Sequence, residues 1–297
     1  MKIKLGIAPI AWSNDDMPEL GGDTPIETCL EEASLAGFSG IELGGKFPRN
    51  PGIIKFLLSK YNLSLPGGWY GSKLRDRNLE DEWKSMQDQI DLLKFIGSEV
   101  FIFADVSGSI QGSAETNLSK RPQLNQTEWK EYCNKISEIS NRLFEVGLPM
   151  SYHEHMGTII QTETDIEKFM NLTNEKTFLL YDTGHLLFAQ IDYLKILEKY
   201  ISRINHIHCK DIRKNILTNS LERDLSFRNS FLDGVFTVPG DGCIDYEPII
   251  KILFQNDYEK WLIIEAEQDP SKAIPFEYAK IGFSYLKKIV IEKGYKL

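Results

Sequence analysis

The sequence predicts an α/β protein that folds as a (β/α)8 barrel, and three observations support this fold class. Short apolar segments alternate with longer amphipathic segments, and this alternation occurs eight times without a break in composition. It is typical of parallel strands joined by crossover helices, and eight units favour a closed barrel over an open sheet. Links from helix to strand are short, whereas links from strand to helix are long and polar, so we expect the functional loops on one rim.

The length of the chain also fits one barrel. A (β/α)8 barrel needs about 250 residues. The chain has 297, which leaves room for insertions in the loops. We therefore expect a single domain over residues 1–297.

The predicted strands are short apolar segments, several of which become polar abruptly at their C-terminal ends. The third strand begins at residue 63 and either ends at residue 65 or extends to residue 70. The eight predicted strands cover residues 2–8, 39–43, 63–65, 99–104, 149–154, 178–181, 204–208 and 261–265.

The predicted helices are bounded by capping signals. Thr24 and Thr127 stand where an N-cap is expected, and Gly37, Gly97 and Gly147 end the helices that precede them. The segment from residue 216 to residue 241 is predicted as a long loop. The predicted helices cover residues 25–36, 51–61, 79–96, 128–146, 163–172, 186–200, 245–255 and 270–292.

Composition and charge argue against several classes of partner. The net charge of −9 disfavours nucleic acid and anionic membranes, and no apolar stretch approaches the length of about 20 residues that spans a bilayer. The four cysteines form no CxxC motif, which is typical of reduced thiols in a cytoplasmic protein. No GxGxxG motif or P-loop is present, so nucleotide binding is not indicated. A homo-oligomer is compatible with the sequence.

Imidazole and carboxylate groups follow the predicted strands at their C-terminal ends. All five histidines of the chain lie at the ends of three successive strands, which random placement would seldom produce. Carboxylates also lie at strand ends, at Glu42, Asp105, Asp182 and Glu265. Such groups from different strands suit Mn²⁺, Co²⁺ or Mg²⁺ with a mixed nitrogen and oxygen shell, while Zn²⁺ is one further candidate. The sequence therefore predicts a metal site or an acid–base site at this rim.

Side-chain alternation along the strands narrows the set of ligands. His206 and His208 share a face, and His208 lies nearer the rim, so it is the better ligand and His206 a deeper supporting or core group. In the fifth strand His153 and His155 share one face and Glu154 has the other, and the sequence leaves open which face points inward. One group from this strand would join Asp182, His208 and Glu265 in the ligand set.

Several of these residues also have purely structural interpretations. Asp182 could cap the helix that follows it, and Glu42 and Asp105 could be loop groups or substrate contacts. Glu267 shares a face with Glu265, or belongs to a cap of the last helix. Trp12 and Trp69 lie in rim loops, where they would either contact the apolar face of a small polyol ring or pack the loops.

Five segments of the chain resemble a known family. They are GIAPIAWSNDDMPELGGDTP at the N-terminus, YHEHMGT, YDTGH, HIHCKDIR and EAEQDP. Together they resemble the inosose dehydratases of bacterial myo-inositol catabolism, which are xylose-isomerase-like TIM barrels related to sugar epimerases and 3-dehydroshikimate dehydratases. The resemblance covers nearly the whole chain. Its first and last segments are specific to the dehydratases, whereas D-x-x-H and H-x-H-x-x-D are shared across the superfamily.

The resemblance implies a set of metal ligands. In the superfamily the metal is held by residues of strands 5, 6, 7 and 8, which match His153, Asp182, His208 and Glu265. The dehydratases more often have YHHH in strand 5, so Glu154 is a departure, and His153 is the ligand only if Glu154 does not face the metal. The resemblance also implies a need for Co²⁺ or Mn²⁺, and for glutathione.

The implied reaction removes water from 2-keto-myo-inositol, a cyclic polyol ketone, to give a trihydroxycyclohexane dione. It requires a base to take the proton beside the ketone, and Glu265, Lys210 and His155 are candidates among which the sequence does not choose. His185 would protonate the leaving hydroxyl or bind the ring, and Trp12, Glu42, Trp69 and Glu267 would contact the substrate. The alternatives are a metal-dependent ketose or polyol epimerase or isomerase, and a sugar-binding barrel without catalysis.

Overall fold

Eight parallel strands surround the centre of the molecule in the computed structural model, which describes residues 1–15 and 17–297. The strands of the described residues are β1 (Lys4–Ile7), β2 (Gly40–Ile41), β3 (Trp69–Ser72), β4 (Phe101–Asp105), β5 (Met150–His153), β6 (Phe178–Asp182), β7 (Ile204–Cys209), β8 (Asp211–Ile212), β9 (Phe236–Thr237) and β10 (Trp261–Ile264). The helices are α1 (Ile26–Ala36), α2 (Pro51–Lys60), α3 (Leu79–Ile96), α4 (Gln126–Glu145), α5 (Glu163–Leu172), α6 (Thr183–Phe188), α7 (Tyr193–Tyr200), α8 (Lys214–Glu222), α9 (Phe227–Leu232), α10 (Tyr246–Gln255) and α11 (Pro275–Lys293).

The large sheet closes on itself. Its strands follow the order β2-β1-β10-β7-β6-β5-β4-β3, and every neighbouring pair is parallel. Two isolated parallel bridges, Gly40 with Ser64 and Leu43 with Gly68, join the two ends of this order. The predicted (β/α)8 barrel is therefore confirmed.

The strand order sets the positions of the chemical groups. Strands β10, β7, β6 and β5 are consecutive neighbours, so their C-terminal ends lie side by side on the rim. The register places Asp182 of β6 opposite His208 of β7, and His208 opposite Ile263 of β10. Groups that are far apart in the sequence are thereby brought onto one side of the barrel mouth.

Helices cover the outside of the barrel with their apolar faces. In α4, Ile136, Ile139 and Leu143 recur at helical spacing and are fully buried. Burial of an aliphatic side chain of this size contributes about 1.5–3 kcal/mol, so the shell of helices stabilises the strands that hold the rim. None of the helices in the described part of the chain combines the length and apolar character needed to cross a membrane.

The third barrel strand lies later in the chain than the sequence predicts. β3 begins at Trp69, and the apolar residues 63–65 contribute only the isolated bridge at Ser64. The segment that leads into β3 passes so close to its neighbours that side chains would not fit there. A Cβ at Gly67 would lie 2.8 Å from Cγ2 of Val100, and one at Gly68 would lie 2.7 Å from Cβ of Leu43. The glycines that make this segment unlike a strand in sequence are what allow the barrel to close here.

Two predicted segments are divided differently in the structure. The predicted helix over residues 186–200 consists of α6 and α7, separated by Gln190 with φ of 59° and by the N-cap Asp192. The predicted loop over residues 216–241 contains most of α8, all of α9 and β9, which pairs antiparallel with β8. In this insertion Phe227 and Phe236 belong to a second, small apolar core, which they share with Met156 after β5 and Phe188 of α6.

Three helix starts also differ from the prediction. α1 begins at Ile26 after Pro25, which provides no side-chain cap, so Thr24 is not the N-cap. α4 begins at Gln126, two residues before the predicted start, and is capped by Asn125 in a capping box instead of by Thr127. α11 begins at Pro275, so Glu267 does not cap it.

Candidate active site

The C-terminal rim of the barrel contains a pocket of about 640 Å³, measured with its open mouth. Its polar and aromatic walls include residues from five of the barrel strands or the loops that follow them. These are Glu42, Trp69, His153, His155, His208, Glu265 and Glu267.

Four buried side chains meet at the base of this pocket, and we call them the central cluster: His153, Asp182, His208 and Glu265. One potential ligand atom of each lies within 4.8 Å of those of the others. Asp182 Oδ2 is 3.6 Å from His153 Nε2 and 3.5 Å from His208 Nδ1, and His208 Nδ1 also contacts Glu265 Oε2. The structure thus brings together the four residues that the resemblance implies.

Each carboxylate of the central cluster has one oxygen bound to the protein. Asp182 Oδ1 accepts the backbone N–H groups of Gly184 and His185 at 2.8 and 2.9 Å, which caps helix α6. Glu265 Oε1 accepts a hydrogen bond from the Lys210 ammonium at 3.3 Å. The cap interpretation of Asp182 is therefore met through Oδ1, and it leaves Oδ2 directed at the other members of the cluster.

Each histidine of the central cluster likewise has one ring nitrogen bound to the protein. His153 Nδ1 pairs with the backbone carbonyl of Glu154, and His208 Nε2 lies 3.3 Å from Glu42 Oε1. Since carbonyl and carboxylate oxygens only accept, these nitrogens carry the protons. When these rings are neutral, as metal binding requires, their lone pairs are on His153 Nε2 and His208 Nδ1, which face the cluster.

The remaining atoms of the cluster fit a divalent cation. Among the described residues, Asp182 Oδ2, His208 Nδ1 and Glu265 Oε2 are buried and have no hydrogen-bond partner. Unsatisfied buried acceptors are costly unless a cation binds them. Two carboxylates and two imidazoles form the mixed shell that Mn²⁺, Co²⁺ or Zn²⁺ accepts.

The electrostatic field at the cluster also favours positive charge. Burial lowers the pKa of His208, but Glu265 and Glu42 outweigh it and hold that pKa well above its usual value. Burial raises the pKa of Glu265, yet His208 and Lys210 hold it well below the usual value. A cation at this point therefore finds ionised carboxylates.

The question left open for strand β5 has a geometric answer. His153 belongs to the central cluster, and Glu154 does not. Glu154 is buried, neither of its carboxylate oxygens has a hydrogen-bond partner in the described structure, and burial, with Asp182 nearby, raises its pKa well above the usual value. Such a carboxyl group is held in its neutral, protonated form.

A second group lies beside the first, and we call it the lysine cluster: His155, His185, Lys210 and Glu267. Ligand atoms of its two histidines and of Glu267 lie within 4.8 Å of one another. The ammonium of Lys210 is 3.0 Å from His185 Nε2 and 3.8 Å from Glu267 Oε2. Burial lowers the pKa of Lys210, but Glu265 and Glu267 outweigh it and raise the pKa above its usual value. This cluster contains its own cation.

The members of the lysine cluster differ in access to the pocket. His155 and Glu267 line it, whereas Lys210 and His185 are buried behind them. His185 is enclosed by Phe227 of α9 and Phe236 of β9, with ring centroids 5.7 and 5.4 Å away. Sequence reasoning missed these two aromatic residues because it treated their segment as a loop.

The predicted aromatic contacts separate into one that lines the pocket and one that does not. Trp69 packs edge-on against His153 and His155 at centroid distances of 5.6 and 5.8 Å. Trp12 is not among the described residues that line the pocket. It is only 1% exposed, and its indole N–H donates to Glu32 at 2.5 Å. The short 3-10 turn before Trp12 directs the ring away from the mouth and into the core.

The predicted rim carboxylates Glu42 and Asp105 also differ. Glu42 lines the pocket, and although burial raises its pKa, His208 and His206 lower it to about 2. Asp105 is buried outside the described pocket wall, where its oxygens accept the backbone N–H groups of Arg75 and Ser107. The structure therefore gives Asp105 the loop role rather than a substrate contact.

Comparisons with known proteins agree with this geometry. A family model described as "Xylose isomerase-like TIM barrel" matches residues 30–289. The inosose dehydratase of Geobacillus thermodenitrificans is 43% identical over 289 residues, which are 97% of this chain and 97% of that protein. The rhizopine catabolism protein MocC of Rhizobium meliloti is 41% identical over 297 residues, which are 100% of this chain and 91% of that protein.

The solved structures show the same architecture. The probable 3-DHS dehydratase AsbF from Bacillus anthracis superposes with a TM-score of 0.72, over 96% of this chain and 98% of that chain. Its sequence identity is 15%, so this likeness shows the fold alone. The family model and the curated relatives show more: the chain belongs to the xylose isomerase-like TIM barrel family and is a relative of its inosose dehydratases.

Proposed function

We propose that this protein is a metal-dependent hydro-lyase that removes water from 2-keto-myo-inositol to give a trihydroxycyclohexane dione. The observation that carries the proposal is the full-length identity of 43% to a protein named inosose dehydratase. The central cluster supports it, because it offers a cation site at the base of a pocket lined by polar and aromatic side chains. The substrate class is a small cyclic polyol ketone, in the degradation of inositol.

In this proposal the metal is bound by His153 Nε2, Asp182 Oδ2, His208 Nδ1 and Glu265 Oε2. Mn²⁺ or Co²⁺ is the best match, since both accept nitrogen and carboxylate oxygen together. When bound, the ion supplies Lewis-acid polarisation of the substrate ketone, which acidifies the neighbouring C–H group. The carboxylates and imidazoles of the chain orient the ion toward the pocket.

His155 is the best candidate for the base. Its Nδ1 donates to the carbonyl of Met156 at 2.9 Å, so the neutral ring has its lone pair on Nε2. His155 lines the pocket, and Nε2 lies 3.9 Å from Glu267 Oε1. After His155 takes the proton beside the ketone, the Glu267 carboxylate stabilises the imidazolium, which can return the proton to the departing hydroxyl.

The other candidates for the base have different roles in this proposal. Lys210 is an ammonium without a lone pair, and its contacts hold Glu265 and His185 in place. Glu265 directs one oxygen to Lys210 and the other to the metal position. His185 is kept neutral, because burial and then Lys210 hold its pKa well below the usual value. It supports His155, whose ring centroid is 4.1 Å away.

A turnover assay tests the proposal. Metal-stripped protein is incubated with 2-keto-myo-inositol, with and without Mn²⁺ or Co²⁺, and the product is identified by mass spectrometry. We expect metal-dependent loss of one water. A product of unchanged mass would replace the proposal with an epimerase or isomerase, and bound substrate without turnover under any metal would indicate a binding protein.

The surroundings of the reaction are part of the proposal. The four cysteines are present as free thiols, three buried and Cys243 exposed, which fits work in the reducing cytoplasm. Running the same assay with and without glutathione determines whether that compound, which the family resemblance implies, changes the rate.

A further inference from the structure

Glu42 spans the barrel mouth and contacts two histidines of another strand. It follows β2, whereas His206 and His208 belong to β7, three places away in the strand order. A single oxygen, Glu42 Oε1, lies 2.6 Å from His206 Nε2 and 3.3 Å from His208 Nε2. Glu42 is only 6% exposed, so these contacts are protected from water.

The contact with His208 determines which ring nitrogen is available to a metal. The neutral imidazole has one N–H, and the Glu42 carboxylate can only accept it, so the proton is held on Nε2. Nδ1 then presents its lone pair to Asp182 and Glu265. With the other tautomer, an N–H group would point at the position of the cation, and binding there would require the ring to turn or the proton to move.

His206, which lies deeper in the barrel than His208, holds the Glu42 carboxylate in place. It is fully buried, and the described structure gives its Nε2 no hydrogen-bonding role other than the contact with Glu42. With this shorter hydrogen bond in place, the carboxylate is anchored in the barrel interior. A strand-end acid that served only to bind substrate hydroxyls would not need such an anchor.

We infer that Glu42 is a positioning residue, which fixes the tautomer and orientation of His208 and thereby sets the metal affinity of the central cluster. This inference rests on the proposed function for the metal site but concerns a residue outside the ligand set. Glu42 is then not a contact for the substrate but a support for His208, which binds the metal. Carboxylates that hold ligating histidines typically contribute about 10- to 100-fold to metal affinity.

Three variants test this assignment by metal binding, without turnover. Glu42→Ala removes the acceptor, Glu42→Gln retains a carbonyl oxygen, and Asp105→Asn changes a buried rim acid that contacts neither histidine. Affinity for Mn²⁺ and Co²⁺ is measured by isothermal titration calorimetry, and the ligand geometry by the visible absorption of bound Co²⁺. We expect Glu42→Ala to weaken binding about 10- to 100-fold with an altered spectrum, and Glu42→Gln to recover most of it. Asp105→Asn should match the parent protein.

A measurement on the unmodified protein keeps the test decisive if Glu42→Ala does not fold. Long-range ¹H–¹⁵N correlation spectra of the Zn²⁺-loaded protein report which nitrogen of His208 binds metal. We expect a metal-bound Nδ1 and a protonated Nε2. A metal-bound Nε2, or unchanged affinity in Glu42→Ala with only a higher KM, would overturn the inference.

The outcomes for the inference and for the proposed function are distinguishable. Protein that binds metal through His208 Nδ1 but does not dehydrate 2-keto-myo-inositol would refute the function and leave the positioning role intact. Active protein whose affinity is insensitive to Glu42 would do the reverse. Protein that binds none of these metals would refute both.

Discussion

The central cluster and the lysine cluster are built from the same kinds of residues but obtain positive charge in different ways. Both contain two buried histidines and at least one buried carboxylate, and both lie at the C-terminal ends of the same strands. In the lysine cluster the ammonium of Lys210 is supplied by the chain. In the central cluster, the facing atoms of Asp182, His208 and Glu265 contact one another, and Lys210 comes no closer than 3.7 Å to Asp182 Oδ2.

The difference shows how to distinguish a metal site from a salt-bridge network of similar composition. Residue type and proximity do not separate the two, since both groups have ligand atoms within 4.8 Å. A missing hydrogen bond does not separate them either, because His185 Nδ1 and Glu267 Oε2 of the lysine cluster also have none in the described structure. The position of Lys210 does. Its ammonium contacts His185 and Glu267 directly, whereas each residue of the central cluster has one atom bound to the protein and another that faces a common point.

Asp182→Asn should produce the largest effect, because it removes a carboxylate from the centre of the central cluster. The new Oδ1 can still cap α6, but an amide N–H₂ replaces the oxygen that faces the cation position. Lewis-acid stabilisation supplies several kcal/mol, so we expect turnover to fall about 1000-fold or more, with metal binding lost. Steady-state kinetics and metal analysis of the purified variant measure both.

Asp192→Asn is the matched control for that variant. Asp192 caps α7 with the same chemistry, through a 3.1 Å contact to the N–H of Lys195, away from either cluster. It should retain full activity and metal content. Normal metal binding by Asp182→Asn would show that Asp182 is only a cap.

Lys210→Met should produce the next largest effect, on stability, because it removes the cation of the lysine cluster. The ammonium is fully buried and faces Asp182, Glu265 and Glu267. Removing one partner of a buried ion pair typically costs about 3–5 kcal/mol. Urea denaturation measures the loss. Lys195→Met, which removes an exposed ion pair with Glu163, is the control and should change little; an equal response of the two variants would contradict the role assigned to Lys210.

Asp105 is a buried rim acid that has neither a metal position nor a lysine beside it, and we expect its pKa to make the stability of the protein depend on pH. Burial raises its pKa from 3.8 to about 6, against the opposing effect of the Ser107 N–H. The folded state therefore keeps a proton that the unfolded state loses. This contribution to stability is complete below about pH 4 and is lost as the pH rises to about 6, on the order of 2–3 kcal/mol.

The measurement for Asp105 is the dependence of the free energy of unfolding on pH. Asp105→Asn removes the titrating group, so its stability should fall less than that of the parent between pH 4 and pH 6. The comparison concerns the slope, because the amide also exchanges one acceptor for a donor. Identical slopes for the two proteins would refute the raised pKa.

Trp69→Phe should produce the smallest effect, because Trp69 contacts one histidine from each cluster without belonging to either. The phenyl ring keeps an aromatic face on the pocket but loses indole area. A loss of aromatic contact on the order of 0.5–1 kcal/mol corresponds to a rise in KM of about threefold, with kcat nearly unchanged. Trp12→Phe is the control: it should lower the melting temperature and leave KM unchanged, and a raised KM would place Trp12 with the substrate.

Much of the fold was predictable because the signals are local. Apolar strands, capping residues and short links after Gly37, Gly97 and Gly147 repeat along the chain, and the rim location of the histidines follows from strand direction. The position of β3 was not predictable from apolar character. Its residues WYGS follow two glycines, and the pairing with β4 that makes them a strand is a tertiary contact.

The site was predictable in composition but not in arrangement. Because side chains alternate along a strand, the sequence made His153 and Glu154 equally good candidates for the metal ligand. Only the packing of the barrel distinguishes the face of the strand that points inward. The burial of Trp12 outside the described pocket wall was not predictable, because its partner Glu32 lies on α1 and is not suggested by the sequence around the ring. The contact of Lys210 with His185 spans 25 residues and depends on the neighbouring positions of β6 and β7.

The insertion between β7 and β10 has a consequence for redesign. It contributes no strand to the large sheet, but its apolar core is shared with Met156 and Phe188, and Phe227 and Phe236 form the wall behind His185. Loop grafting or random diversification over residues 214–237 would therefore leave every strand of the barrel in place and yet change the packing behind His185, so these two aromatic residues have to be kept in any redesign that retains the lysine cluster.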